Sequence, residues 1–234
     1  MNLILSQDFH PKDHISFASN HQGAEPMSEI FLKRGDHGLY RVSDNREQGA
    51  FSQTLWSDHC IQGTESAMFV GPVMDELPED LNRLLHRSVP LPVLTDTDDR
   101  GNTFFVIRKG ARTDLDSYGL ATENDGVTTT SVPFVFNYIA NMLKDAGVEK
   151  ANIAIGGLAT NFCVEFSNKD VHEYLVPMLR IRGIKTGVGI MTDVSRGIPI
   201  AVLGGAWPDL DSAPNRMAAL GTLKTTTDEV ISAF

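Results

Sequence analysis

The chain carries only two cysteines, Cys60 and Cys163, in 234 residues. Two thiols cannot build the multi-bridge framework of a small secreted fold, so a reducing, cytoplasmic setting is expected. Positive charge is also scarce. Lys+Arg is 20 against Asp+Glu 30, a net charge of −10. An acidic chain is repelled by phosphate backbones and anionic headgroups, which argues against nucleic acid and membrane surfaces as partners. No apolar run approaches the ~20 residues of a membrane span. The opening MNLILSQDFHP has no basic n-region, so no signal peptide is read. Repeats and low-complexity tracts are absent. What remains is a chain that is 41% hydrophobic and long enough for one large α/β domain, residues 1–234.

The most informative stretch is Ile153–Phe166, IAIGGLATNFCVEF. Its apolar start reads as a fully buried strand, ended by Gly156 and Gly157. Thr160 and Asn161 offer cap-type side chains, and Cys163–Tyr174 reads as a helix. Cys163 therefore falls where a strand hands over to a helix N-terminus, a place that favours a thiolate. Open α/β sheets bind ligands outside the carboxyl ends of their strands.

Upstream, Asn2–Ser6 reads as a strand that runs into QDFHPKDHISFASNH, residues 7–21. That segment is too polar for a packed element and reads as a loop. Asp8 and His10 are two apart and share a side in extended backbone, with His14 and His21 behind them. Carboxylate and imidazole are ligand types for divalent metals, although a solvated polar loop has the same composition. Residues 22–54 read as a long connection with a short hairpin. Leu55–Phe69 carries Trp56, Asp58, His59 and Cys60, of which His59 offers a further ligand and Trp56 an aromatic platform or a plain core residue. Leu77–His86 has the pattern of an amphipathic helix. Pro90 and Pro92 interrupt regular structure. Thr103–Arg108 reads as a buried strand with Lys109 at its carboxyl end. Leu115–Gly126 reads as a polar loop, Pro133–Ala146 as a helix, and Ile184–Met191 as a strand. An irregular insert, 198–212, precedes a short helix from Pro214 to Leu220 and an edge strand within Thr222–Thr227. Alternation of this kind predicts a parallel sheet with helices on both faces.

Four stretches taken together, SQDFHPKDHISFASNH (6–21), LWSDHCIQG (55–63), RKGARTDLDSYG (108–119) and GGLATNFCVEF (156–166), resemble the nicotinamidase branch of the isochorismatase-like cysteine hydrolases. The likeness runs from residue 2 to about 197. It implies a three-layer, Rossmann-like α/β fold. It implies hydrolysis of nicotinamide to nicotinate and ammonia through a cysteine thioester, as in NAD salvage. By resemblance, Cys163 matches the nucleophile and Lys109 the catalytic lysine. Asp8, His10 and His59 match the ligands of one divalent ion (zinc, iron or manganese), and His14 matches a fourth ligand used by some members. Trp56 matches an aromatic that stacks on the substrate. The Leu158–Ala159 bond matches a cis peptide, placing Leu158 beside the substrate and turning the N–H groups of Ala159 and Cys163 into an oxyanion hole. The implied partner is a small amide, with a homo-oligomer as a further option.

One block of the pattern is absent. The family's first strand ends in V-D-x-Q-N-D-F, whose aspartate is the general base, and nothing in residues 1–234 matches it. Asp8 matches a metal ligand, and Asp13, Asp58 and Asp193 lie in other blocks. The expectation is an N-terminally incomplete domain with little turnover by itself and an exposed apolar groove in the sheet. The alternatives are a non-catalytic member of the family, or an amidase of the same superfamily acting on pyrazinamide or carbamoyl amides.

Overall fold

The computed structural model describes residues 2–45, 47–87, 91–199 and 212–232. The chain divides into two compact units. The first is Met1–Ser117 with Glu123–Val127, and the second is Tyr118–Thr122 with Thr128–Phe234.

In the first unit, β1 (Asn2–Asp8) begins the fold. It is followed by β2 (Glu29–Arg34), β3 (Tyr40–Ser43) and β4 (Phe51–Thr54). Two helices, α1 (Gly71–Asp75) and α2 (Glu79–His86), lead to β5 (Val93–Thr97) and β6 (Thr103–Lys109). One sheet has the order β1-β6-β5, the other β3-β2-β4. β1 and β6 are parallel and pair from Asn2↔Thr103 to Asp8↔Lys109. That register sets Asp8 beside Lys109 at the carboxyl ends. β6 is buried throughout Phe104–Lys109, as its unbroken apolar run predicts. Leu81 and Leu85 of α2 pack against Leu94, Phe104 and Val106, with Leu3 and Leu5 alongside. The apolar spacing that marks the helix is the face it buries.

Two elements of this unit differ from expectation. Residues 22–54 are not a connection with a single hairpin but a three-stranded antiparallel sheet, with β2 between β3 and β4. Its strands are short and largely polar, so period-2 alternation is weak. β5 follows Pro92 directly and runs antiparallel to β6.

In the second unit, α3 (Val132–Asp145) leads into β7 (Lys150–Leu158). A π-turn at Thr160–Val164, α4 (Glu165–Asp170), a second π-turn at Val171–Leu175 and α5 (Val176–Ile181) follow as one continuous helical run. β8 (Lys185–Arg196), α6 (Ala213–Ala219), β9 (Leu223–Thr225) and α7 (Thr227–Ser232) complete it. The sheet is parallel, in the order β7-β8-β9. The helical run is longer than Cys163–Tyr174. It continues through Pro177, and the π-turn before that proline accommodates the missing N–H and the ring. β7 is not fully buried. Ile153 and Ile155 are half-buried, while Ala154 and Gly156 face outward. Among the described residues β1 pairs only with β6, and β7 only with β8, so each is an edge strand. Of the expected 198–212 insert, residues 200–211 lie outside the described residues. No helix among the described residues is long and apolar enough to cross a membrane.

Candidate active site and metal centre

The histidine-rich loop after β1 is held on two sides by backbone hydrogen bonds. Phe9 N–H donates to the Lys109 carbonyl (3.0 Å) and His10 N–H to the Cys60 carbonyl (3.0 Å). Gln62 N–H donates back to His10 (2.8 Å), and Trp56 N–H to Ser16 (2.7 Å). Two isolated parallel bridges result, His10↔Ile61 and Phe17↔Trp56. On the other side, Ile15 N–H donates to Thr113 (2.7 Å). A segment that reads as a solvated loop is therefore fixed between residues 55–62 and 109–117.

These ties bring three imidazoles together. The His10 ring lies 4.4 Å from His14 and 4.9 Å from His59, centre to centre. All three surround Phe17, a fully buried ring 5.5 Å from His10, 5.6 Å from His14 and 5.5 Å from His59. Phe17 is absent from the motif reading. Its signal is an aromatic residue inside an otherwise polar loop, which a solvated segment has no reason to contain.

The donor atoms converge as the spacing suggests. One ligand atom each from Asp8, His10 and His59 lies within 4.8 Å of the others, and the same holds for His10, His14 and Asp116. His10 Nδ1 is 2.8 Å from the Gly110 carbonyl, and His59 Nδ1 is 2.8 Å from that of Ser57. A carbonyl only accepts, so both Nδ1 atoms carry the proton and both Nε2 atoms keep a lone pair. His14 Nδ1 faces the Ser16 hydroxyl at 2.7 Å, and its buried Nε2 has no hydrogen-bond partner. Burial lowers the pKa of His10, although Asp116 and Asp8 pull it upward. Burial takes His14 down to about 4, again against the pull of Asp116. Both rings are neutral at pH 7, the protonation state that binds metal. Desolvation pushes the Asp8 carboxyl up, but Lys109, His10 and His59 together hold it below the usual carboxylate range. An ionised carboxylate, neutral imidazoles and an orphaned buried ring nitrogen fit a divalent ion of the zinc, iron or manganese type.

Lys109 is buried rather than solvated, at 4% exposure. Its ammonium donates to Asp8 and to the Ser117 carbonyl (3.4 Å). Gly110 follows with φ +61, and a Cβ there would sit 2.2 Å from His10 Cε1. Only glycine lets the ring lie against the backbone at that point. Trp56 is half-buried in the Phe17 bridge.

The second unit holds the remaining sequence-predicted residues. The Leu158–Ala159 bond is cis. Leu158 is 71% exposed, at the carboxyl end of β7. The Ala159 carbonyl accepts from Phe162 (3.0 Å) and Val164 (3.2 Å), which closes the π-turn that contains Cys163. Cys163 is half-buried and not disulfide-bonded. Asn161 does not cap the helix. Its side chain accepts from Ile198 N–H (3.0 Å) and donates to the Ile198 carbonyl (3.1 Å), tying the turn to the segment after β8. Asp58 accepts from Ser19 and Asp193 from Thr227 N–H, so both serve local structure.

The fold defined by these units, with a His/Asp/Lys cluster at strand ends, is that of the isochorismatase-like α/β hydrolases. Within that class the chain is related by sequence and fold to the nicotinamidases. A nicotinamidase of Acinetobacter baylyi is 32% identical over 168 residues, 72% of this chain and 55% of the relative. One from Escherichia coli is 29% identical over 198 residues, 85% of this chain and 64% of the relative. The chain thus spans 55% and 64% of the length of these curated relatives. Among solved structures, an Acinetobacter baumanii nicotinamidase/pyrazinamidase superposes with TM-score 0.56 and 27% identity, covering 98% of this chain and 79% of that one. The yeast nicotinamidase bound to nicotinaldehyde gives TM-score 0.61 at 17% identity, covering 97% and 80%, a likeness of fold alone. No family model matches the chain.

Proposed function

We propose that this chain carries the machinery of a nicotinamidase, converting nicotinamide to nicotinate and ammonia. The observation that supports it best is the Asp8–His10–His59 cluster, in which His10 is buried and Asp8 and His59 half-buried, with the orphaned His14 Nε2 and the buried Lys109 beside it. Motif matching and metal chemistry point to the same residues independently. The sequence relatives carry this activity in their names, as does the Acinetobacter baumanii structure, which is also named for pyrazinamide.

In this reading Cys163 Sγ, as thiolate, adds to the amide carbonyl. The C–N bond breaks, ammonia leaves with a proton, and a thioester remains. Water cleaves the thioester to the carboxylate and restores the thiol. The N–H groups of Ala159 and Cys163 receive the developing oxyanion, each such donor being worth ~3–4 kcal/mol. Lys109 supplies the positive charge that lowers the cost of a thiolate. Asp8, His10 and His59, with His14 as a fourth, would hold one divalent ion. When bound, such an ion would supply Lewis-acid chemistry toward the pyridine nitrogen and water. By the resemblance, Trp56 and Leu158 are the residues assigned to the substrate ring. The product and the two unbridged thiols suit NAD salvage in a reducing cytoplasm.

The proton acceptor for Cys163 is the part that no residue here matches, and the carboxylate bonded to Lys109 is Asp8, a ligand position. Turnover by these residues is therefore expected to be weak. The same observation favours a second reading, a metal-binding member that does not turn over. Ammonia release from nicotinamide, measured on zinc-loaded protein, chelated protein and Cys163→Ala, separates the two. Weak release that needs both zinc and Cys163 supports the amidase. Zinc binding with no release above the Cys163→Ala level supports the non-catalytic reading.

A further inference from the structure

Asp116 lies beside His10 and His14 and has no role in the chemistry above. It is 3% exposed, in a loop whose residues Leu115 to Ala121 are all buried. Its Oδ1 accepts from Ser117 N–H at 2.8 Å and its Oδ2 from the Gln53 side chain at 3.3 Å. Gln53 is itself 1% exposed and is held by Asn124 at 3.2 Å. Among the described residues no lysine or arginine pairs with Asp116; the nearby Arg112 is bound to Asp114. A carboxylate this deep needs compensation, because its charge has been taken out of water. The groups it faces are His10 and His14. One ligand atom from each of the three lies within 4.8 Å of the others. A Cβ on Gly110 would be 2.5 Å from His10 Nδ1 and 3.2 Å from Asp116 Oδ1, so the carboxylate borders the Nδ1 edge of His10.

We propose that Asp116 is the positioning carboxylate of the metal centre: it sits on the far side of His10 and His14, orients both rings, and strengthens their nitrogens as ligands. With both oxygens engaged by N–H donors, it acts through the imidazoles rather than on the ion. The compensation it needs is the dication those imidazoles hold. Gln53 and Ser117 fix the rotamer from which it does so. Second-layer carboxylates of this kind commonly change metal affinity by about 10–100-fold. The inference rests on the reading of Asp8, His10 and His59 as a metal site, and its test separates the two.

The test is competition for zinc between the protein and a chromophoric chelator, with thermal melting of the metal-free protein and the cobalt(II) absorption spectrum measured alongside. Wild-type protein is expected to bind one zinc per chain. Asp116→Asn is expected to bind it about 10–100-fold more weakly, with altered cobalt bands and a metal-free melting midpoint no lower than wild type. Unchanged zinc affinity in Asp116→Asn, or a second zinc per chain lost in it, overturns the positioning role while leaving the metal site intact. A lower metal-free midpoint with unchanged affinity also overturns it, since Asp116 is then only structural. Wild-type protein that binds no zinc overturns the metal site itself and the inference with it. If Asp116→Asn does not fold, Gln53→Met keeps the carboxylate and releases its rotamer. Several-fold weaker zinc binding is then expected, and unchanged affinity refutes the proposal.

Discussion

Replacing Gly110 with alanine perturbs the metal centre through one methyl group. The new Cβ would lie 2.2 Å from His10 Cε1 and 2.5 Å from Nδ1. Ordinary contact begins near 3.4 Å, so the ring must retreat by roughly 1 Å, and the 2.8 Å bond from Nδ1–H to the Gly110 carbonyl is lost or bent. The backbone cannot give way easily, because φ at Gly110 is +61, where an L-residue costs about 1–2 kcal/mol. Adding a lost hydrogen bond of about 1 kcal/mol gives a destabilisation of about 2–3 kcal/mol. For a chain of this size that lowers the melting midpoint by roughly 4–12 °C. The larger effect is on function. His10 belongs to the Asp8–His10–His59 cluster, and a 1 Å misplacement of such a group costs on the order of 100-fold. The assay is zinc affinity by chelator competition, with melting curves in zinc and in chelator. Wild-type zinc affinity in Gly110→Ala would refute the argument that this glycine exists to seat His10.

Further outcomes follow from the same geometry. Cys163→Ala should bring the weak ammonia release down to background without changing zinc content, measured by a coupled ammonia assay and metal analysis. Phe17→Ala removes the ring shared by three imidazoles and should cost about 3–5 kcal/mol in denaturant unfolding, with weaker zinc binding. The folded-state pKa of His14 is depressed from 6.5 to about 4 by burial. Its contribution to stability is complete above pH 6.5 and is lost as pH falls toward 4, because the unfolded chain takes up the proton first. Glu123 has the opposite sign. Burial raises it from 4.5 to about 7, against the pull of Arg112, so its contribution is complete below pH 4.5 and is lost as pH rises through 7. Glu123→Gln should therefore remove the fall in stability between pH 4.5 and 7 and leave the opposing rise from His14 between about pH 4 and 6.5 uncompensated.

Most elements were legible where one physical signal dominated. The run TFFVIR is buried because its strand is flanked on both sides, and Pro133–Ala146 is helical, but the face α3 buries is Val132, Val135, Phe136, Ile139 and Ala140, while Phe134 and Tyr138 of its apolar pattern stay exposed. The ligand types in Asp8, His10 and His59 were readable from residue chemistry, and so was the thiol at the turn after β7. The rest depended on partners distant in sequence. β2 to β4 carry Lys33, Arg34, Arg41 and Ser43, and their pairing follows from register rather than hydropathy. β7 reads as buried from IAI but has one outward face and, among the described residues, pairs with β8 alone. Asn161 has the composition of a cap, yet its amide is satisfied by Ile198, 37 residues away. Asp116 is invisible to a metal-motif reading because it comes near His10 and His14 only through the fold, and Leu115–Ala121 is buried although it reads as part of a polar loop. Lys109 reads as solvated until the β1–β6 register sets it opposite Asp8.

The central proposal is that a thiol chemistry at Cys163 and a divalent ion bound by Asp8, His10 and His59 would serve one reaction. Its most direct test is ammonia and nicotinate release from nicotinamide by zinc-loaded protein, compared with the chelated protein and with Cys163→Ala and His10→Ala. Slow, equimolar release of both products, abolished by chelation and by either substitution, is the predicted result. Release that survives the loss of zinc or of Cys163, or no release above the Cys163→Ala background, contradicts it.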